Sequence, residues 1–388
     1  MSVWHLITSE YPPQPGGVSD YTYHIANGLA EVGNEVHVWC PSSAEKQINS
    51  SRIKIHRVMG SFAVRDLGHL GLELSRFRSP RRILVQWVPH GYGWHSMNLA
   101  FCLWLLDRRI RSGDRVEIMV HEPFLAFGEG SLRQNAPALV HRLMTITLLG
   151  AADRVWVSIP EWERRWKPYA LGRRIPFHWL PIPSNIPIAE DNGATQDVRR
   201  KLAANGAFLI GHFGTYGQAV ASVLEPVLLN LENDLSGPVL LMGIGSEAFR
   251  SRIIRKKQKL ASRLFATGTL SPAELSCHVA ACDLLIQPYP DGVSSRRTSF
   301  MAGLAHGKPI VTNTGRLTES LWADTQAVAL APRADADAFI RLLTQLRADD
   351  STRIRMGFAA RKLYKERFDI SHTIAALQDG HLNYWCVS

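Results

Sequence analysis

The chain is poor in cysteine. Cys40, Cys102, Cys277, Cys282 and Cys386 are scattered over 388 residues, and no CxxC occurs. An odd, dispersed set argues against a disulfide framework and for reduced thiols, so a cytoplasmic protein is expected. A membrane span needs about 20 consecutive apolar residues. The most apolar segments, Asn98 to Leu106 and Ala136 to Ala152, are too short or carry Arg142. The opening MSVWHLITSEYPP has no basic segment followed by an apolar one, so no signal peptide is expected. There is no short-period repeat, and no zinc-ligand spacing, leucine zipper or RNA-recognition signature, so nucleic acid is not an expected partner. No GxGxxG with a following acidic residue is present, which argues against a nicotinamide dehydrogenase. Acidic residues are outnumbered, 34 Asp and Glu against 44 Lys and Arg, for a net charge of +10. The excess is clustered, as at Arg108, Arg109 and Arg111, at Arg164, Arg165 and Lys167, and at Arg255, Lys256, Lys257 and Lys259. It favours an anionic partner: a phosphate-bearing ligand or an anionic membrane surface touched peripherally.

What is present is an alternation of strand and helix patterns. Hydrophobic residues make up 46% and charged residues 20%, as in an ordinary globular chain. Val3 to Ile7 reads as a strand. A Pro- and Gly-rich loop follows, then a helix near Val18 to Ala30 with Val18, Tyr21, Ile25 and Leu29 on one face. Further strands are expected at Val36 to Trp39, Ile53 to Val58, Ile83 to Val88, Ile118 to Val120 and Val155 to Ser158. From Pro181 to Asp197 the chain is rich in Pro, Asn and small polar residues and reads as a linker. The alternation then restarts at Phe208 to Phe213, Val239 to Met242, Leu264 to Ala266, Leu284 to Ile286 and Ile310 to Thr312, and ends in a helical tail, Asp335 to Trp385. The fold class expected is α/β, with two doubly wound parallel-sheet domains.

Three stretches carry chemistry. In Pro15–Gly16–Gly17–Val18–Ser19–Asp20 the glycines let backbone approach a ligand, and the following helix N-terminus offers N–H donors to a phosphate. His121–Glu122–Pro123–Phe124 follows a strand, where open parallel sheets bind ligands; a neutral imidazole there suits a sugar hydroxyl. The third stretch, Asp291 to Ser299, lies between a strand and a short helix that Thr298 or Ser299 can cap. It offers a carboxylate (Asp291), hydroxyls (Ser294, Ser295, Thr298, Ser299) and two guanidiniums (Arg296, Arg297). That set suits an anionic, hydroxyl-rich ligand such as a nucleotide sugar. Breaking a sugar–diphosphate bond puts charge on phosphate oxygens, which fixed Arg groups and helix N–H groups lower in energy. Adjacent residues tend to point apart, so one of Arg296 and Arg297 is expected at the diphosphate. Glu319, after the next strand, is within reach of the same region or caps a helix.

With these residues in view, the sequence resembles the retaining GT-B glycosyltransferases of family four. EYPPQPGGVSDYTYHIANGLAEVGNEVHVW resembles that family's opening strand, glycine pair and helix, and VHEPF its mid-domain histidine segment. HFGTYG, LLMGIGSEAF, ATGTLSPAELSCHVAACDLLIQPYPDG and GLAHGKPIVTNTGRLTE follow its C-terminal order. The resemblance implies two Rossmann-like domains with an interdomain cleft, no metal requirement, and transfer with retention. It implies that Gly16 and Gly17 lie near the diphosphate or acceptor, that His121 faces the donor sugar, and that Gly214, Thr215 and Gly243 belong to the nucleotide-binding region. Gly292 would correspond to the glycine of the family's Glu–Gly.

The sequence departs from the family twice. The family's two spaced glutamates fall on Ser294 and Ala302 if Gly307–Lys308–Pro309 anchors the alignment, or on Asp291 and Ser299 if Asp291–Gly292 does. We favour Asp291 for the sugar contact and leave the ribose contact open. The family's Arg and Lys after the strand at Phe208 to Phe213 are absent from GTYGQAVASVLEP, so Arg296 or Arg297 would supply that charge. The expected domains are residues 1–185, a linker at 186–205, a nucleotide-sugar domain at 206–365, and a final helix at 366–388 that crosses back. The expected activity is metal-independent hexosyl transfer, UDP-sugar favoured, to a glycan or lipid-linked acceptor. A non-catalytic sugar-nucleotide-binding protein and a sugar-nucleotide epimerase are the alternatives.

Overall fold

A computed structural model describes residues 2–43, 52–93, 96–128, 132–188, 192–231 and 237–379. They divide into two compact units. One takes the described residues up to Pro181 and from Ile370 onward, the other Ile182–Asp369.

The first unit runs β1 (Val3–Thr8), α1 (Gly17–Glu31), β2 (Glu35–Pro41), β3 (Ile53–Met59), α2 (Val64–Ser75), β4 (Arg82–Trp87), α3 (Leu99–Ser112), β5 (Arg115–Val120), α4 (Leu132–Ala151), β6 (Arg154–Val157), α5 (Pro160–Trp166) and β7 (Phe177–Trp179). All pairings are parallel, in the order β3-β2-β1-β4-β5-β6-β7. Parallel strands are covered on both faces, which is why β1 and β4 are nearly continuous apolar runs rather than alternating ones. Leu6 sits between Val38 and Leu84 in register, and all three are buried. On α1 the predicted stripe of Val18, Tyr21, Ile25 and Leu29 is the buried face.

The amino ends of the central strands β4 and β5 are fastened by one carboxylate. Asp114, fully buried in the turn after α3, accepts from Arg81 Nη1 at 2.8 Å and from Arg108 Nε at 2.7 Å. It ties the approach to β4, the end of α3 and the start of β5 together.

The second unit runs α6 (Asn192–Leu202), β8 (Ile210–Phe213), α7 (Gln218–Asn230), β9 (Val239–Met242), α8 (Ser246–Lys256), β10 (Leu264–Ala266), α9 (Pro272–Ala281), β11 (Leu284–Gln287), α10 (Thr298–Ala305), β12 (Ile310–Asn313), α11 (Leu321–Asp324), β13 (Val328–Ala331), α12 (Ala336–Ala348) and α13 (Asp350–Arg367). Its parallel sheet has the order β10-β9-β8-β11-β12-β13. Leu224 and Val227 of α7, Leu241 of β9, Ile286 of β11, Val311 of β12 and Phe339 of α12 share one fully buried core. The last helix, α14 (Ile370–Asp379), belongs to the first unit. Ile374 packs on Gly28 of α1, where a Cβ would lie 2.7 Å from it, and Arg82 Nη2 donates to Leu377 O at 2.5 Å.

The stretch read as a linker departs from expectation. It holds α6, which packs on α9 within the second unit, with Arg199 Nη1 donating to Asp283 Oδ1 at 2.9 Å. The helix escaped notice because its half-buried side is Ala194, Thr195, Val198, Arg199 and Leu202, hardly an apolar stripe. Strands β7 and β13 were also not anticipated; both are too short to show a period. Within the expected linker, residues 189–191 lie outside the described residues. So do 380–388 of the expected crossing helix, with Cys386. The other four cysteines are buried free thiols. No helix among the described residues is long and apolar enough to cross a membrane.

Truncating Asp114 leaves two buried guanidiniums without their counter-charge. Asp114→Ala is expected to cost about 3–5 kcal/mol in a denaturant titration. A loss below about 1 kcal/mol would contradict the role assigned to it.

Candidate functional site

In open parallel sheets the chain order reverses at one point, and the loops on either side of it open a crevice at the carboxyl ends of the strands. In the second unit this point lies between β8 and β11, in the first between β1 and β4. Most of the predicted residues fall on loops at or beside these points.

In the second unit, the loop after β11 is sewn to the loop after β12. Asn313 Oδ1 accepts from the Tyr289 amide at 2.8 Å, and its Nδ2 donates to Tyr289 O at 2.9 Å. The Val293 amide donates to Asn313 O at 2.9 Å, and the Leu317 amide to Asp291 O at 3.0 Å. Gly292, at φ 82°, lies against Gly315, and a Cβ on either would overlap the other loop's backbone. Gly292 is therefore a packing necessity here. A second glycine pair joins the loops after β8 and β9. Gly243, at φ 108°, is so close to Gly214 O that a Cβ would overlap it, and the Gly214 amide donates to Met242 O at 3.1 Å. Across the reversal point, Gln287 Nε2 donates to Phe213 O at 3.2 Å. Thr215 follows, next to Gly245.

The polar groups of this loop divide into engaged and unengaged. The Asp291 carboxylate pairs with Arg316 Nε at 2.9 Å and lies 3.8 Å from Arg296 Nη2. Arg297 has a different neighbour, its guanidinium carbon lying 4.8 Å above the Tyr289 ring. Tyr289 Oη also meets Ser299 Oγ at 2.9 Å. Glu319 accepts from the Ser295 amide at 2.9 Å, from Ser295 Oγ at 2.5 Å and from Trp322 Nε1 at 2.7 Å. Burial pushes its carboxyl above the ordinary range, and these three donors work against that rise. Trp322 in turn is fully buried between Phe300 and Phe368. Glu319 is thus a strut between the core and the loop, not a helix cap. In contrast, Ser294 Oγ and Arg297 Nε are buried without a hydrogen-bond partner. Helix α10 begins at Thr298 with Arg297 in the cap position and no side chain bonded to its end, so neither Thr298 nor Ser299 caps it.

The first unit treats its helix end differently. Glu10 Oε1 accepts from the amides of Val18 and Ser19, at 2.9 Å each, and its carboxylate fills the space over Gly16. The N-terminus of α1, expected to be free for a phosphate, already holds a carboxylate. Gly17 has open space around it. His121, at the end of β5, donates from Nε2 to Gln86 Oε1 on β4 at 2.8 Å, and its ring meets the Tyr21 ring edge-on at 4.9 Å. Burial pushes its pKa down to about 3, so the ring is neutral at pH 7. Gln86 Nε2 is buried and unpaired beside it. Asp291, Gly292, Ser294, Ser295, Arg296, Arg297, Thr298, Ser299 and Glu319 gather at one loop cluster, with Gly214, Thr215 and Gly243 on neighbouring strand ends of the same sheet. His121, Gly16 and Gly17 belong to the other unit.

Sequence reasoning missed Glu10, Gln86, Arg316 and His212. His212, on β8, is buried with Nδ1 unpaired and a pKa pushed down to about 3 by burial. Its position two residues before a strand-end glycine was the available signal.

Two expectations follow. Burial pushes the pKa of His5, His121 and His212 to about 3 and of His56 to about 4, against 6.5 when unfolded. Between pH 6.5 and 4 the unfolded chain therefore binds more protons than the folded one, and stability falls as pH falls. The urea midpoint should drop steeply through that window, and less steeply in His212→Gln; a flat profile would contradict the burial of these rings. Gly292→Ala combines a left-handed backbone with a steric overlap. It should destabilise by about 1–3 kcal/mol, read as a lowered melting midpoint, whereas Gly17→Ala should be nearly neutral.

No protein-family model matches the chain. It is 21% identical over 365 residues to a phosphatidyl-myo-inositol mannosyltransferase of Mycolicibacterium smegmatis, covering 89% of this chain and 84% of that protein. Among solved structures it is similar to sucrose-phosphate synthase from Thermosynechococcus elongatus, with TM-score 0.76, 16% identity and 98% of both chains covered. It is also similar to Anabaena HepE solved with UDP-glucose, with TM-score 0.67, 14% identity, and 97% of this chain and 100% of that one covered. With the sheet order, the strand-end loops and the order of motifs, these likenesses make the chain a glycosyltransferase of the GT-B fold, built from two Rossmann-like domains.

Proposed function

We propose that the chain is a retaining hexosyltransferase that takes its sugar from a nucleotide diphosphate donor, UDP-linked by preference, and passes it to a glycan or lipid-linked acceptor. One contrast carries the reading. Two helices start at predicted ligand loops: α1 has its amides filled by Glu10, while α10 has no side-chain cap and sits beside a buried, unpaired Ser294 hydroxyl and Arg297 Nε. A helix end with unfilled donors beside a guanidinium is suited to a diphosphate. When the bond from the sugar carbon to the diphosphate breaks, its electron pair moves onto phosphate oxygen. Groups already aimed there need no reorganisation, and each contributes several kcal/mol to lowering the barrier.

The remaining roles follow from this assignment. Arg297 is given the diphosphate and Arg296 the support of Asp291. Asp291 accepts from sugar hydroxyls, and its pairing with Arg316, with Arg296 nearby, holds the carboxylate in place for that task. Ser299, Ser295 and Glu319 hold the loop. Gly214, Thr215 and Gly243 lie under the nucleotide. His121 meets a sugar hydroxyl as a neutral group. Gly16 and Gly17 serve the acceptor side. No divalent metal is needed, because arginine supplies the positive charge. HepE, solved with UDP-glucose, supports the preference for UDP. The mannosyltransferase named for phosphatidyl-myo-inositol supports a lipid-linked acceptor and a peripheral position at the inner face of a membrane.

Arg297→Ala should lower kcat for donor turnover by roughly 10²–10³, with little change in melting midpoint, and Arg296→Ala by less. Chelation should leave wild-type turnover unchanged. Intact turnover in both arginine variants would remove the diphosphate assignment. Donor binding without nucleotide release, even with glycan and lipid acceptors, would favour a sugar-nucleotide sensor.

A further inference from the structure

A second concave site lies in the second unit, at the opposite end of the strands from the donor loops. Donor chemistry is at the carboxyl ends of β11 and β12. This cavity of about 850 Å³ opens at their amino ends, against Asp283, Lys308 and one face of α13. Strands of four residues, at about 3.3 Å per residue, separate the two sites.

The face of α13 that lines the cavity carries Ile354, Phe358, Arg361 and Lys365, spaced four, three and four apart and hence on one side of the helix. Gly357 lets this face approach closely: a Cβ there would overlap Gly307 O. Ile354 is 61% exposed and Phe358 79% exposed, a large apolar area held in water at the rim. The charges around them are unbalanced. The cavity's carboxylates are engaged within the protein: Asp283 with Arg199 at 2.9 Å, Asp350 with Arg353 at 2.7 Å and Glu366 with Lys362 at 3.9 Å. Arg361 makes no ion pair or hydrogen bond among the described residues. The Lys308 ammonium donates to two carbonyls, Ala280 O at 2.5 Å and Cys282 O at 2.7 Å.

We propose that this cavity seats the phosphodiester of an anionic phospholipid, and that α13 lies on an anionic bilayer. Arg361, Lys365 and Lys308 face the phosphate, while Ile354 and Phe358 enter the boundary between headgroups and acyl chains. Cations beside exposed aromatic and aliphatic side chains on one helix face fit this interface. A soluble phosphate would satisfy the cations and leave Phe358 in water. The volume is in the range of ligand pockets. The inference stands apart from the donor chemistry, since none of these residues touches the donor loops.

The test is co-flotation of the full chain with phosphatidylglycerol vesicles and with phosphatidylcholine vesicles. Binding to the first and not the second is expected. The double variant Phe358→Ser, Arg361→Gln should bind phosphatidylglycerol about tenfold more weakly, with an unchanged melting midpoint and unchanged nucleotide release in solution. A second double variant, Arg255→Gln, Lys259→Gln, on another basic surface, should bind like wild type. Three results would overturn the proposal. They are no binding to phosphatidylglycerol, binding by the Phe358 and Arg361 variant equal to wild type, or full displacement of the protein from vesicles by millimolar glycerol phosphate, which would make the ligand a soluble phosphate.

Discussion

The loops that carry the candidate chemistry of the second unit depend on a contact between two glycines. Gly292 and Gly315 bring the backbones after β11 and β12 together at a distance no side chain permits. Only with that contact made does Asn313 bridge to both backbone groups of Tyr289, and only then does the run from Val293 to Arg297 leave in a fixed direction. The same device recurs between β8 and β9, where Gly243 lies against Gly214. Two pairs of neighbouring strands thus end in fused loops, so the groups at the reversal point are carried on backbone held by the sheet. For a reaction whose barrier falls through fixed charges, that rigidity is what matters.

Around this frame the charges are sorted. Asp291 has two arginines near it, Glu319 has three donors, and Glu10 fills α1. Beside the start of α10, Ser294 Oγ and Arg297 Nε are buried without hydrogen-bond partners. A buried hydroxyl and a guanidinium nitrogen without partners cost stability in the empty protein. That cost makes sense where a ligand replaces the missing partners, which ties the local energetics of the loop to its proposed use.

Much of this was legible in the sequence. Hydrophobic runs gave the strands other than β7 and β13, within two residues at each end except at the start of β5, because buried parallel strands are nearly all apolar. The loop from Asp291 to Ser299 could be read from residue type. Partners distant in sequence could not be read. Glu10 reaches over Gly16 to fill the end of α1, Arg316 reaches Asp291 across 25 positions, and Gln86 orients His121 from another strand. Each link depends on strand order, which no local pattern encodes. Helix α6 stayed hidden because its contact face is small and polar.

The central claim is that the loop cluster of the second unit binds a nucleotide sugar. It is met most directly by a thermal-shift and nucleotide-release panel with UDP-, GDP- and ADP-hexoses, without added metal. A donor at about 100 times its dissociation constant should stabilise the fold by roughly 2.7 kcal/mol. The account predicts that one donor, UDP-linked, does so and slowly releases free nucleotide. No stabilisation by any sugar nucleotide would contradict it.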